Sequence, residues 1–328
     1  MVFDARKVGE DLARARRTYG GRNWPESFAD RLTTPLPGYR DVARLLLSGP
    51  LRPSDLSAAA QIPVSTKDRL PDVPGGQAAI TWIGHATFAI QIDGLTVLTD
   101  PVFSRRIPGV RGRLTPPGVP LAGIGAIDTV LISHNHYDHL DGPSIQALPR
   151  DTPMLVPGML GSWFRRRSFT NVTELDWWES VEIGDVRFEF VPAHHWSRRG
   201  LGDTCKTLWG GWVISSNETK IYFAGDTGYG HWFTEIAKRH PVIDAALLPI
   251  GAYEPSWFMR PVHLNPAEAV RACLDLGARV LATMHWGTFV LSTEPLLDPP
   301  RLAAEAWLAA GRPREDLWDF AVGETRIM

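Results

Sequence analysis

The sequence predicts a layered α/β body, with sheets inside and helices outside, wrapped by an N-terminal arm. Three observations carry this. From Ala78 onward, short apolar strands follow one another and then alternate with helical patterns, the order expected of packed α and β layers. No fixed-period repeat and no low-complexity tract interrupts that run. Residues 1–77 differ: they are rich in Pro, Arg and Gly and hold too few apolar runs for a core of their own. Residues 1–77 are therefore read as an arm, not an independent domain, and residues 78–328 as the body.

Taken in order, the arm contains one clear helical pattern, "YRDVARLLLSG" at 39–49, with a glycine stop. The body opens with "AITWI", "TFAIQI" and "LTVLTD", separated by "GHA" and "DG". Asp93-Gly94 reads as a two-residue hairpin turn. Further strands are expected at "IDTVLIS", "TPMLVP", "VEIGDVRFEFVPA", "WGGWVISS", "KIYFAGD", "AALLPI" and "RVLATMH". Helices are expected at "GMLGSWFRRRS", "HWFTEIAKRH", "NPAEAVRACLDLG" and "PRLAAEAWLAAG". In the third helix Asn265 suits an N-cap, Pro266 the first turn and Gly277 the stop.

Composition narrows the function. The chain has 328 residues, is 44% hydrophobic and 21% charged, and carries a formal net charge of -2. That is ordinary for a soluble globular protein and gives no global basic signal for nucleic acid. Two cysteines, Cys205 and Cys273, lie far apart with no CxxC pair. They make neither a disulfide framework nor a thiolate zinc knuckle, and a reducing cytoplasm is expected. The N-terminal stretch is too charged for a signal peptide, and no apolar run reaches the length of a membrane span. Thirteen tryptophans are expected mainly as core residues, with an aromatic pocket wall as the alternative.

The chemistry concentrates in "SHNHYDHLDG", residues 133–142, directly after the apolar run "IDTVLIS". His134 and His136 are two apart, so in extended chain they point the same way. Asp138 and His139 follow as the chain turns. Imidazole nitrogens and carboxylate oxygens are the ligands of zinc and similar divalent ions. More candidates recur at other strand ends: His194 or His195 in "FEFVPAHHWS", Asp226 in "IYFAGDTGY" and His285 in "VLATMHWGTF". Singly each is weak; with HxHxDH they form one pattern.

That pattern resembles the metal-ligand series of the metallo-β-lactamase superfamily. The blocks "TWIGHATF", "LTDPVFS", "LDWWES", "LWGGW", "PIGAYEPSWFM", "HLNPAEAV" and "HWGTF" further resemble the N-acyl-phosphatidylethanolamine-hydrolysing phospholipase D family and its bacterial relatives. They run from about residue 80 to 290. The resemblance implies a four-layer αββα sandwich with a dinuclear zinc site, iron or manganese fitting the same ligands. It implies that His134, His136 and His195 hold one ion, that Asp138, His139 and His285 hold the other, and that Asp226 bridges them. His195 is preferred to His194 because the family ligand directly precedes a Trp-Ser-like pair. Strand alternation would also turn the two histidines to opposite faces. Asp100 is expected to accept a hydrogen bond from a ligating histidine, with a plain turn carboxylate as the alternative. His85 is expected outside the catalysis, either beside a ligand or in the core.

The implied reaction is phosphodiester hydrolysis of an N-acylated ethanolamine phospholipid to phosphatidic acid and N-acylethanolamine. Asp138, Asp226 and His263 are the candidate catalytic residues. Trp196, Arg199, Tyr253 and Trp257 are candidates for substrate contact. A lactonase or β-lactamase-type hydrolase, a generic small phosphodiesterase, a nuclease and a non-enzymatic scaffold are the rival readings. Expected partners are a small-molecule or phospholipid substrate, a membrane surface met peripherally from the cytoplasm, and a second copy in a homodimer, but not nucleic acid.

Overall fold

The computed structural model describes residues 5–47, 49, 53, 55–74 and 76–328. Among the described residues two α-helices, α1 (Ala5–Tyr19) and α2 (Tyr39–Leu47), precede the first strand. α2 forms where the apolar spacing places it; Ser48, before the Gly49 stop, lies outside the described residues. α1 lies against the edges of both sheets and buries Leu12 and Ala15 in the main core. Further along, the backbone N–H of Phe28 donates to Cys205 O at 2.7 Å, and Arg31 pairs with Asp176.

Two seven-stranded sheets follow. The first holds β1 (Ala79–Gly84), β2 (Thr87–Ile92), β3 (Leu95–Thr99), β4 (Thr129–Leu131), β5 (Met154–Pro157) and β6 (Val172–Leu175). The second holds β7 (Glu179–Ile183), β8 (Val186–Val191), β9 (Gly211–Ser215), β10 (Lys220–Phe223), β11 (Ile243–Pro249), β12 (Ala278–Met284) and β13 (Leu317–Trp318). The last strand, β14 (Thr325–Ile327), returns to pair with β1. Each sheet begins as an antiparallel meander and continues as parallel strands from β3 and from β10 respectively. Parallel strands gather function at their carboxyl ends. Here that means the ends of β3, β4, β10 and β12, which carry Asp100, the HxHxDH loop, Asp226 and His285.

Local chemistry accounts for the elements. Ile92 pairs with Leu95 across Asp93 and Gly94, whose φ angles are 45° and 79°, the signature of a tight hairpin turn. The helices after the first strand are α3 (Gly142–Gln146), α4 (Gly161–Arg165), α5 (Trp232–Arg239), α6 (Ser256–Met259), α7 (Pro266–Asp275) and α8 (Asp298–Ala309). In α7 the Asn265 side chain accepts from Glu268 N while Glu268 accepts from Asn265 N, a full capping box. α4 is shorter than the pattern over 158–168 implied, because Met159 and Ser168 take φ of 66° and 65°, outside the right-handed helical region. Trp82, Phe88, Phe188, Phe190 and Trp212 fill the space between the sheets. Trp212 also ties them together, donating its indole N–H to Ile132 O at 3.0 Å. Among the described residues no helix is long and apolar enough to cross a membrane.

Candidate metal centre

The histidine loop leaves β4 at Ile132 and turns tightly, with the N–H groups of His139 and Leu140 both donating to His136 O. This brings His134 and His136 together: His134 Nε2 lies 2.9 Å from His136 Nδ1. His195 completes the trio, its Nε2 3.2 Å from the same His136 nitrogen. A second group sits alongside. His139 Nε2 and His285 Nε2 lie 3.7 and 3.5 Å from Asp138 Oδ2. Asp226 stands between the groups. Its Oδ2 is 3.1 Å from His139 Nε2 and 4.0 and 3.9 Å from the Nε2 atoms of His134 and His195; its Oδ1 is 3.1 Å from His285 Nε2.

The outer nitrogens are anchored, which dictates what the inner ones present. His139 Nδ1–H donates to Asp100 Oδ2 at 2.7 Å, His195 Nδ1–H to Val262 O at 3.0 Å, and His134 Nδ1 lies 2.9 Å from Ser133 Oγ. Each anchor leaves Nε2 with its lone pair aimed into the centre. Ser133 is itself held by Asp100, which accepts from its N–H at 2.7 Å and from its hydroxyl. One carboxylate therefore orients His139 directly and His134 through Ser133. Asp100 is wholly buried and has φ of 32°, so the chain holds an unfavourable backbone there.

The donor set fits divalent ions. Nε2 of His139, Nε2 of His285 and Oδ1 of Asp226 are buried and make no hydrogen bond. Such groups are costly unless something else satisfies them. Burial holds His134 and His195 well below the ordinary histidine value and His136 at about 4, so these rings are neutral at pH 7, the form in which an imidazole can ligate. Burial acts the same way on His139 and His285. There Asp226 and Asp138 outweigh it, raising His139 well above the usual value and His285 to about 9, so an ion taking these Nε2 lone pairs would displace a proton from each. Despite burial, Asp138 and Asp226 are held well below the ordinary carboxylate range, above all by His139.

All seven residues predicted as ligands thus meet in one volume. His194 turns away from it: its Nδ1 lies 2.6 Å from Thr33 Oγ1, and its ring packs against His231. The reason differs from strand alternation, because β8 ends at Val191 and both histidines lie on the following loop. His263, between α6 and α7, faces the centre with Nδ1 3.9 Å from Asp226 Oδ2. Trp196 stands edge-on to His136 at 5.0 Å. Arg199 lies behind the histidine loop, its Nη1 donating to Asn135 O at 3.0 Å while its guanidinium stacks on Tyr137. Tyr253 lines a separate groove with Asn265, Leu302 and Ala306. Trp257, 38% exposed, lies under the guanidinium of Arg44 from α2. Two contacts had little signal in the sequence. Ser133 is marked only by its place before the first histidine, and His85 reaches Asp138 with Nε2 3.1 Å from Oδ2.

The profile of the β-lactamase superfamily domain family matches residues 96–286, which include all seven of these residues and Asp100. The chain belongs to the metallo-β-lactamase superfamily. Its two mixed sheets with outer helices are that superfamily's sandwich. An uncharacterised protein of Mycobacterium tuberculosis is 42% identical over 270 residues, 78% of this chain and 69% of that one. N-acyl-phosphatidylethanolamine-hydrolysing phospholipase D 1 of Caenorhabditis elegans is 35% identical over 257 residues, 73% of this chain and 71% of that one. The structure of an isothiocyanate hydrolase from Delia radicum gut bacteria superimposes with a TM-score of 0.62 over 76% of this chain and 98% of that one. At 22% identity that likeness shows the fold alone. Metal-dependent hydrolases of the same superfamily recur among the relatives, and this metallo-β-lactamase-fold chain is one of them: a metal-dependent hydrolase.

Proposed function

We propose that this hydrolase is a dinuclear phosphodiesterase that cleaves N-acyl-phosphatidylethanolamine-type phospholipids on the head-group side of the phosphate. The observation that carries the dinuclear part is the Asp226 carboxylate, within 3.1–4.0 Å of imidazoles from both groups. His134, His136 and His195 would hold one ion, Asp138, His139 and His285 the other, and Asp226 both, with zinc the default for so histidine-rich a set. Two ions so held would supply a water activated at neutral pH and a Lewis acid for a phosphoryl oxygen.

The chain's own residues shape the rest. His263 is half-buried, its buried Nδ1 makes no hydrogen bond, and desolvation pushes its pKa down to about 4. At pH 7 it is a neutral ring that presents an N–H to a phosphate oxygen beside the ions. Trp196 forms an apolar wall next to His136. In the reaction, water oxygen joins phosphorus, the bond from phosphorus to the head-group oxygen breaks, and that oxygen takes up a proton. The products are phosphatidic acid and an N-acylethanolamine. The name of the C. elegans relative supports this substrate class.

Metal content and turnover, measured together, test the reading. About two ions per chain with hydrolysis of both a chromogenic phosphodiester and a long-chain N-acyl-phosphatidylethanolamine is the expected result. Turnover of the small diester alone discards the lipid substrate. Absence of bound metal discards the mechanism.

A further inference from the structure

The turn between β1 and β2 carries a buried histidine, His85, that the proposed mechanism does not use. Its backbone sits in the left-handed region at φ 57°, a conformation that costs a non-glycine residue about 1–3 kcal/mol. Three hydrogen bonds hold it there. His85 N–H donates to Thr288 Oγ1 at 2.8 Å, and His85 O accepts from Trp82 Nε1 at 2.9 Å and from His285 N at 3.0 Å. Two of these three tie the turn to the segment that carries the ligand His285. The imidazole packs on His285 with ring centroids 4.0 Å apart and meets the edge of Phe289 at 5.4 Å. Held this way, its Nε2 lies 3.1 Å from Asp138 Oδ2.

Asp138 needs such a partner. It is the more exposed of the two central carboxylates, with its side chain 15% accessible against 2% for Asp226. A carboxylate oxygen has lone pairs enough to meet a cation and an N–H at once. Resting on the metal-centre reading above, we infer that His85 is a positioning residue for Asp138: its Nε2–H donates to Oδ2 and fixes the rotation at which the carboxylate meets the second ion with His139 and His285. The strained turn is the means by which a residue 53 positions earlier in the chain reaches that oxygen. The role requires a donated N–H at the position of Nε2. It does not require an imidazole lone pair.

That distinction sets the experiment. Phe replaces the ring without an N–H, and Gln places an amide N–H close to where Nε2 stands. Wild type, His85→Phe and His85→Gln are titrated in parallel with Zn²⁺ against a chromophoric chelator and with Co²⁺ followed by its visible spectrum. The wild-type chain should take up two ions. His85→Phe should bind the second ion roughly 10–100-fold more weakly, the usual cost of losing a hydrogen-bond partner of a metal ligand, with a changed Co²⁺ spectrum for that ion only. His85→Gln should restore affinity and spectrum. Unchanged affinity in His85→Phe overturns the inference, because the ring then only packs. A Gln variant as weak as the Phe variant, with both folded by circular dichroism, also overturns it, because the imidazole itself is then required. A wild-type chain that takes up fewer than two ions overturns the dinuclear reading and this inference with it, and the wild-type titration alone identifies that case.

Discussion

Asp100→Asn isolates the hydrogen bonding that orients the ligands, because it preserves shape and touches no candidate ion ligand except through hydrogen bonds. In the native protein Asp100 Oδ2 faces two donors, His139 Nδ1 at 2.7 Å and the Ser133 hydroxyl, while Oδ1 accepts from Ser133 N at 2.7 Å. The amide oxygen of Asn can keep the Ser133 N–H, which leaves the NH₂ group confronting His139 Nδ1–H. A buried donor without an acceptor costs about 1–3 kcal/mol. His139 escapes that cost by moving its proton to Nε2, but the lone pair that would meet the second ion is then lost. Loss of such a partner lowers metal affinity by about 10–100-fold, or about 1.4–2.8 kcal/mol. The first ion should suffer less, because His134 is reached only through Ser133, whose hydroxyl can rotate. The assay is stepwise chelator competition, reading each ion separately, alongside thermal melting of the metal-free protein. Equal affinity for both ions and an unchanged melting temperature would refute the argument.

Three further outcomes are expected. His195→Ala should abolish turnover and lower ion content, while His194→Ala should retain both, since His194 faces Thr33; paired turnover and metal analysis checks this, and the reverse pattern defeats the ligand choice. His263→Ala should lower kcat with ion content unchanged, and unaltered kcat would make it a packing residue. Glu189 gives a pH dependence remote from the centre. Burial opposes its charged form, but His240 at 3.2 Å and Arg187 at 2.8 Å outweigh it and hold the carboxyl below its ordinary value. A depressed carboxyl stabilises fully above the unfolded value of about 4.3 and loses that contribution as pH falls through the folded one. The melting-temperature gap between wild type and Glu189→Gln should therefore be widest near neutrality and close in acid; a gap that persists in acid counts against it.

Much of the centre was legible because metal ligation confines residue types to strand ends. HxHxDH after an apolar run, and Asp226 and His285 each following a strand, declare themselves one segment at a time. The Asn265 N-cap of α7 and the Asp93-Gly94 turn were legible for the same reason, since each is written in a few adjacent residues. What escaped depends on folded geometry. His194 and His195 are told apart by a loop after β8, where strand periodicity no longer applies. The contact of His85 with Asp138 depends on a left-handed turn and on Thr288, 203 residues away in the chain. Arg199 read as a residue facing substrate, yet its guanidinium is engaged by the backbone carbonyl of Asn135 and the ring of Tyr137, partners that spacing does not reveal.

The division of the ligands between the sheets has a consequence for folding. His134, His136, Asp138 and His139 come from the first sheet, and His195, Asp226 and His285 from the second. An ion held as proposed, by residues from both sheets, would act as a rivet between two layers that otherwise cohere by apolar packing and hydrogen bonds such as Trp212 Nε1–H to Ile132 O, Gly210 N–H to Ser133 O and His285 N–H to His85 O. Its binding free energy then adds to the cohesion of the sandwich, growing with the logarithm of free ion concentration. Scarcity of metal in the surroundings would reach the chain twice, once as lost chemistry and once as a looser seam between its halves.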